Sequence, residues 1–191
     1  MKKIAVFASG SGSNAENIAH YFESSALAKV TIILTNNPSA GVIERARRLG
    51  IECVVFSREE LAGEDSQVIK LLEERGIDYL VLAGFLWLVP QALIERFRGR
   101  IVNIHPALLP KYGGKGMYGD RVHRAVVEAG ECESGITIHH VNEYYDSGDI
   151  IAQYKVEIMP GDRPEDVARK VHGLEYEYFP RVIEQEVKRL G

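Results

Sequence analysis

Residues 4–15 have the sequence Ile-Ala-Val-Phe-Ala-Ser-Gly-Ser-Gly-Ser-Asn-Ala, an apolar run that passes through glycines and serines. The apolar run at residues 4–7 is typical of a buried β-strand, and residues 14–23 repeat their apolar positions at helical spacing. A strand joined to a helix by a glycine-rich turn is the first unit of a parallel α/β sheet. This stretch therefore predicts the fold class.

The same alternation continues through the first half of the chain. Further apolar, β-branched runs predict four more buried parallel strands, at residues 30–34, 53–56, 79–82 and 101–104. Helical spacing between these runs predicts helices at residues 41–49, 66–75 and 90–97. We expect an α/β fold with a doubly wound, mostly parallel sheet, helices on both faces and a Rossmann-like N-terminal half.

The regular alternation of strands and helices ends in the second half of the chain. It predicts a glycine-rich loop at residues 113–119, a helix at 122–129, extended runs at 135–141 and 150–158, and a long final helix. Asp162 with Glu165 three residues later predicts a capping box at the start of that helix. No proline- or serine-rich linker and no internal repeat divides the sequence, so we expect residues 1–191 to form one domain.

The composition excludes several classes of partner. The formal net charge is −4 and the basic residues are scattered, so we expect no nucleic-acid partner. Cys53 and Cys132 stand far apart and outside any metal-ligand spacing, so we expect neither a disulfide nor a metal site. No run approaches the roughly 20 apolar residues that span a bilayer, and the first apolar run is too short for a secretory signal, which predicts a cytoplasmic protein without membrane contact.

The glycine-rich turn predicts an anion site. Ser11, Gly12, Ser13 and Asn14 open the first helix, where unpaired N–H groups and the helix dipole favour a phosphate. The string also fits a dinucleotide-binding turn, but the second strand ends in Thr-Asn-Asn at residues 35–37, with no acidic residue for a ribose hydroxyl. A plain turn capped by Ser13 is the alternative that requires no ligand.

A second polar group follows the fifth strand. Asn103 and His105 are two residues apart and share one face of an extended chain, so both can act on one atom. An asparagine amide can donate to a developing oxyanion, and a histidine can move a proton near neutral pH. Asp146, in a turn between two extended runs, is the carboxylate we expect to orient the histidine. Each residue alone is also compatible with a structural hydrogen bond or a turn.

Five strings, in order and at familiar spacing, resemble the phosphoribosylglycinamide formyltransferase family: SGSGSN at residues 9–14, LAGF at 82–85, NIHPALLPKY at 103–112, GITIHHV at 135–141 and DSGDII at 146–151. The resemblance implies a single formyltransferase domain. It also implies transfer of a formyl group from 10-formyltetrahydrofolate, the co-substrate, to the amino group of glycinamide ribonucleotide in purine biosynthesis. The implied reaction is direct attack through a tetrahedral intermediate, without a metal.

The resemblance also implies residue roles. Asn103 holds the formyl oxygen, His105 is the general acid, Asp146 raises the pKa of the histidine, and His139 supports this group. The ribonucleotide contacts Gly12, Ser13, Asn14 and Glu175, although Glu175 also fits a solvated helix face. The folate contacts are Leu86, Trp87, Leu88, Val89, Asn103, Asn142, Glu143, Tyr144, Tyr145 and Asp146. The partners are small molecules, and the chain is a monomer or a homodimer.

Three departures and several alternatives remain open at this point. Trp87 stands where many members have arginine, the family's arginine before the fourth strand is not assigned to Arg58, and the glycine-rich loop at residues 113–119 is longer than the common form. Methionyl-tRNA formyltransferases and formyltetrahydrofolate hydrolases normally carry an extra domain, for which we expect no room, and amino-sugar formyltransferases are usually longer. A phosphate-binding module and a nicotinamide-dependent oxidoreductase are the competing classes. The distance between Asp146 and His105 separates catalysis from simple binding.

Overall fold

Seven strands and seven helices make up the structure, a computed structural model that describes residues 1–191. The strands are β1 (Lys2–Phe7), β2 (Ala28–Thr35), β3 (Glu52–Val55), β4 (Tyr79–Leu82), β5 (Ile101–His105), β6 (Glu133–His140) and β7 (Ile150–Glu157). The helices are α1 (Ser13–Phe22), α2 (Val42–Leu49), α3 (Arg58–Leu61), α4 (Gln67–Glu74), α5 (Gln91–Arg96), α6 (Asp120–Glu128) and α7 (Pro164–Lys188).

All strands belong to one sheet, in the order β3-β2-β1-β4-β5-β6-β7. The first five are parallel, whereas β6 pairs antiparallel with β5, and β7 pairs antiparallel with β6. The predicted α/β class and the mostly parallel sheet are confirmed. The strand order reverses between β1 and β4, and in such sheets ligands bind at that point, beyond the carboxyl ends of the strands.

Apolar side chains fill both faces of the sheet, because parallel strands joined by crossover helices are covered on both sides. One cluster packs α1, α2 and α7 against the sheet, with Phe22, Ala46 and Phe179 among its buried members. The other packs α4 and α5 against the opposite face through Leu72 and Leu93. None of the helices is both long enough and apolar enough to cross a membrane.

Two sequence-based expectations about local structure were wrong. The strand β3 is not buried, since it forms one edge of the sheet and exposes Glu52 and Val55. The long helix α7 begins at Pro164 with Arg163 as N-cap, and the Asp166 carboxylate accepts the Arg163 N–H at 3.0 Å. Asp162 accepts instead from the Met159 N–H at 2.8 Å, so the predicted capping box is displaced by a preceding turn.

The strand β5 presents its polar residues to one face only. Val102 and Ile104 pack into the cluster beneath α1 and α7, and alternation along the strand turns Asn103 and His105 to the other face. His139 on β6 is the register partner of Asn103. The antiparallel pairing of β5 with β6 therefore places a second imidazole beside the predicted asparagine.

Candidate active site

One cavity of about 330 Å³ opens beyond the carboxyl ends of β1, β4 and β5. The turn after β1, the segment after β4 and the end of β5 contribute residues 10–14, 83–86 and 103–106. The glycine-rich loop and the start of α6 add residues 114 and 116–120, and His123, Tyr145, Asp146, His172 and Glu175 complete the lining. The predicted catalytic and phosphate-binding residues thus share one cavity.

His105 lies between two oxygen acceptors and is almost fully buried. Its Nε2 is 2.7 Å from the carbonyl oxygen of Tyr112, and its Nδ1 is 3.4 Å from a carboxylate oxygen of Asp146. A neutral imidazole carries a proton on one nitrogen, whereas the imidazolium carries one on each. His105 therefore donates to both oxygens only when it is protonated, which is the state that a general acid requires.

Burial and charge act in opposite directions on this pair. Burial lowers the pKa of His105 below its ordinary value, and the Asp146 carboxylate and the Tyr112 carbonyl oppose that fall. Burial acts to raise the pKa of Asp146, but the imidazoles of His139 and His105 and the Gly114 N–H outweigh it, so the pKa lies below its usual range. Asp146 is consequently a charged carboxylate near neutral pH, beside an imidazole that it helps to protonate.

The contacts of His139 fix how Asn103 can donate. The Nδ1 of His139 is 2.8 Å from the His140 carbonyl oxygen, which only accepts, so this nitrogen carries the proton. When Nε2 carries no proton, it accepts from the Asn103 amide nitrogen at 3.0 Å. The second amide hydrogen of Asn103 faces Asp146 Oδ1 at 3.5 Å, a long contact. That hydrogen is available to the oxygen of a ligand.

The glycine-rich turn is held in shape by α2. Gly12, the N-cap of α1, has a φ of 76°, and a Cβ there would overlap the Val42 side chain. Val42 donates its N–H to the Gly10 carbonyl, and the Arg45 Nε donates to the Ser11 carbonyl at 2.8 Å. No side chain caps α1, so the alternative of a Ser13-capped turn is wrong. The first N–H groups of α1 have no partner within the helix and suit an anion.

Glu175 connects the last helix to this turn. The residue is 5% exposed, and its Oε2 accepts from the Asn14 amide at 2.9 Å and contacts His172 Nδ1 at 2.8 Å. The alternative of a solvated helix face is therefore wrong for Glu175. The bond to Glu175 raises the pKa of His172 above its ordinary value.

Sequence reasoning missed two histidines of this wall, His123 and His172. His123 is 2% exposed, and its Nδ1 is buried without a partner. Burial, and then the neighbouring His172, lower its pKa. Spacing offered one usable indication, since His172 and Glu175 are three apart on α7 and share a face. No three His, Cys, Asp or Glu side chains are grouped so that they could hold a metal ion.

The residues expected at the folate lie in two places. Leu86, Asn103, Tyr145 and Asp146 line the cavity, whereas the other six do not: Trp87, Leu88, Val89, Asn142, Glu143 and Tyr144. Trp87 packs edge-on against Phe56 and Phe85, with the Arg58 guanidinium 4.7 Å above its ring. Val89 is buried in the core and Leu88 is exposed.

Asn142 has a local structural contact in the turn before Asp146. Its Oδ1 accepts from the Tyr144 N–H at 3.0 Å and from the Ser147 hydroxyl at 2.9 Å. The turn presents Tyr145 and Asp146 to the cavity and leaves Tyr144 exposed. The folate contacts of Trp87, Leu88, Val89, Asn142, Glu143 and Tyr144 stay predictions.

Known proteins are similar to this chain over most of its length. Residues 2–183 match the formyl transferase family model. The chain is 42% identical to the chloroplastic phosphoribosylglycinamide formyltransferase of Arabidopsis thaliana over 98% of the chain and 67% of that protein. It is 37% identical to the phosphoribosylglycinamide formyltransferase of Haemophilus influenzae, over 96% of the chain and 86% of that protein.

A solved structure gives the same result. The phosphoribosylglycinamide formyltransferase of Bacillus halodurans superposes with a TM-score of 0.88 at 34% identity, covering 100% of this chain and 97% of the other. Some relatives are longer: the chain spans 60% of the Vigna unguiculata enzyme of the same name and 14% of a trifunctional purine biosynthetic protein of Drosophila melanogaster.

The chain therefore belongs to the formyl transferase family. The Asp146 carboxylate approaches His105 in the way that the catalytic hypothesis required and that a simple phosphate-binding module did not. Within the family its relatives are phosphoribosylglycinamide formyltransferases, and the chain is a folate-dependent formyltransferase of that group.

Proposed function

We propose that the chain transfers the formyl group of 10-formyltetrahydrofolate to the amino group of glycinamide ribonucleotide in purine biosynthesis. One observation carries the proposal: a single cavity holds the His105–Asp146 pair, the Asn103 amide and an uncapped helix start with its glycine-rich turn. The pair suits proton transfer, the amide suits an oxyanion, and the helix start suits a phosphate. These are the three requirements of formyl transfer to a phosphorylated amine.

The reaction that fits this geometry is direct attack. The amine nitrogen bonds to the formyl carbon, and the carbonyl electron pair moves onto the formyl oxygen, where the free N–H of Asn103 donates to it. The carbonyl re-forms as the bond from the formyl carbon to the folate nitrogen breaks, and that nitrogen takes a proton from His105. The proton that the amine loses passes to the imidazole and restores its charged form. Asp146 holds the imidazole and favours its charged form. The step requires no covalent enzyme intermediate.

The ribonucleotide occupies the α1 end of the cavity in this proposal. Its phosphate meets the N–H groups of Gly12, Ser13 and Asn14, at the positive end of α1. Glu175, already hydrogen-bonded to Asn14, contacts the glycinamide amine or the ribose. The amine then lies between the phosphate site and Asn103, which is the direction the attack requires.

The folate occupies the opposite end, as co-substrate. Leu86 and Tyr145 line that part of the cavity, and Leu86 is 43% exposed, so it offers apolar surface to a pterin. The Leu86 N–H donates to the Ser9 hydroxyl at 3.0 Å, which ties this segment to the turn after β1. The ring of Trp87 lies beside it under the Arg58 guanidinium. We assign the remaining folate contacts to this rim.

We further propose that residues 1–191 act as one domain on small-molecule substrates in the cytoplasm, as a monomer or a homodimer. The single sheet supports one domain, since every strand shares hydrogen bonds with a neighbour in it. Cys53 and Cys132 are free thiols, consistent with a reducing compartment. The cavity is lined by mixed polar and apolar groups, without the continuous basic surface of a nucleic-acid site.

The test is a turnover experiment with an acceptor control. The purified protein is mixed with glycinamide ribonucleotide and a 10-formylfolate donor, and deformylation of the donor is followed with and without the acceptor. We expect turnover that depends on the ribonucleotide and yields the formylated amine. Turnover without acceptor identifies a hydrolase, and turnover with other phosphorylated amines but not with this one would reject the proposed substrate.

A further inference from the structure

The carbonyl oxygen that contacts His105 belongs to a residue with an unusual backbone. Tyr112 has a φ of 57°, in the left-handed region that residues with a side chain rarely adopt. Its carbonyl oxygen is 2.7 Å from His105 Nε2. A residue held in this conformation requires contacts that over-determine it. The contacts of the Tyr112 side chain therefore decide where this acceptor lies.

Those contacts lie outside the active-site cavity. The Tyr112 ring packs against a small apolar cluster that contains Ala107, Val122 and Val126. Its hydroxyl donates to Glu131 Oε1 at 2.8 Å, immediately beyond the end of α6. The side chain is thus fixed at both the ring and the hydroxyl.

Glu131 is itself held in place as a carboxylate. Lys111 Nζ donates to the same Oε1 at 2.8 Å, and the side chain of Glu131 is 24% exposed. The bonds from Lys111 and then Tyr112 lower the pKa of Glu131, so it is ionised at neutral pH. Lys111 and Tyr112 are adjacent, and both side chains converge on one oxygen. The Glu131 carboxylate therefore holds residues 111 and 112, and with them the Tyr112 carbonyl that faces the active site.

We propose that Glu131 is a positioning residue for the formyl transfer: through the Tyr112 hydroxyl it holds the Tyr112 carbonyl against His105 Nε2. Glu131 does not line the active-site cavity and contacts no reacting group. It acts on the imidazole through one side chain and one backbone carbonyl. The inference rests on the proposed role of His105 as general acid, because the carbonyl stabilises the protonated ring.

Loss of this contact has a defined sign. The Tyr112 carbonyl and the Asp146 carboxylate both raise the pKa of His105 against burial. The other charged or titratable groups that face the imidazole are His139 from β6, Glu175 from α7 and His123 from α6, and none of them touches Glu131. Loosening the carbonyl therefore lowers the pKa of His105, and the alkaline limb of the kcat profile moves to lower pH.

The kinetic test uses Glu131→Ala, Glu131→Gln, Tyr112→Phe and the double variant Glu131→Ala/Tyr112→Phe. Glu131→Ala and Tyr112→Phe each lower kcat by about five- to tenfold, the scale of one hydrogen bond, with both KM values unchanged. The double variant loses no more than either single one, because both remove the same contact. Glu131→Gln keeps an acceptor for the hydroxyl and restores most of kcat.

A neighbouring glutamate provides the control. Glu133 is two residues along, pairs with Lys155 at 2.6 Å and does not contact Tyr112. Glu133→Gln leaves kcat and its pH profile unchanged. Parallel losses in Glu133→Gln and Glu131→Ala would overturn the proposal, as would a lower melting temperature in Glu131→Ala with an unchanged pH profile.

A titration without substrates separates this inference from the proposed function. In protein labelled at histidine with ¹³C, the His105 resonance is assigned by its loss in His105→Asn and followed against pH by NMR. The midpoint for His105 moves to lower pH in Glu131→Ala and Tyr112→Phe, but not in Glu133→Gln. An unmoved midpoint rejects the coupling even if the wild-type enzyme transfers formyl groups. A moved midpoint in a protein that fails the transfer assay supports the coupling and rejects the function.

Discussion

The Nδ1 of His105, on the fifth strand, lies 3.4 Å from the carboxylate of Asp146, in the turn between the last two strands. Asp146 has a φ of 52° and also accepts the Gly114 N–H at 2.9 Å. One carboxylate therefore joins three parts of the chain: the strand that carries the acid, the turn that carries the carboxylate and the glycine-rich loop. Its charge favours the protonated imidazole, and its backbone conformation places the carboxylate beside that ring.

Asp146→Asn isolates the charge. Asparagine tolerates the left-handed backbone and keeps an acceptor for the Gly114 N–H, so the turn persists. The loss of negative charge lowers the pKa of His105. Because a general acid must be protonated, the alkaline loss of activity then occurs at a lower pH than in the wild type. We expect kcat at neutral pH to fall by about 10²-fold. The measurement is kcat against pH, and an unchanged alkaline limb would leave Asp146 as a turn residue.

Asn103→Ala removes the oxyanion donor. The free N–H that faces Asp146 at 3.5 Å is lost, and so is the bond to His139. We expect kcat to fall by about 10²- to 10³-fold, as for other single oxyanion donors, with ribonucleotide binding retained. Binding is measured by calorimetry and turnover by donor deformylation. Near-normal turnover would remove Asn103 from the mechanism.

Gly12→Ala tests the shape of the phosphate turn. A methyl group at this position overlaps Val42, and a φ of 76° costs a residue with a side chain about 1 kcal/mol before any overlap. We expect a lower free energy of unfolding and a raised KM for the ribonucleotide. The free energy is measured in urea, with Gly10→Ala as control, because a Cβ on Gly10 meets nothing within 4 Å. Equal loss in both variants would contradict this account of the turn.

The sequence was sufficient to predict what depends on local periodicity. The first strand and its turn, the alternation of strands and helices, and the shared face of Asn103 and His105 all follow from spacing within a few residues. The approach of Asp146 to His105 depends on how β6 and β7 return along the sheet, which residue spacing does not encode. The resemblance to the family supplied that pairing.

Backbone groups and aromatic packing could not be predicted from the sequence. The Tyr112 carbonyl and the Gly114 N–H contact the catalytic residues through atoms that every residue possesses, so no residue type marks them. Trp87 follows a buried strand, but its place is decided by Phe56, Phe85 and the Arg58 guanidinium, which come from separate elements. Contacts between distant elements are decided by the packed fold.

Glu175→Gln tests how the last helix contributes to substrate binding. The Glu175 carboxylate accepts from the Asn14 amide and contacts His172 in a nearly buried position, so a neutral amide weakens two bonds at the phosphate turn. Hydrogen bonds to a charged group contribute about 1.5 kcal/mol or more, so we expect the KM for the ribonucleotide to rise about tenfold or more. The KM for the folate donor stays unchanged, because its end of the cavity lies away from α7.

Glu177→Gln is the matched control for that measurement. Glu177 lies two residues further along the same helix, is half exposed and pairs with Arg181 at 3.5 Å. An exposed ion pair contributes little to binding elsewhere, so both KM values stay at the wild-type level in this variant. Both variants replace one carboxylate oxygen with an amide nitrogen, and they differ in whether that side chain faces the cavity. A rise in the ribonucleotide KM confined to Glu175→Gln assigns the effect to the carboxylate that faces the cavity, whereas equal values in both variants would remove Glu175 from the substrate site.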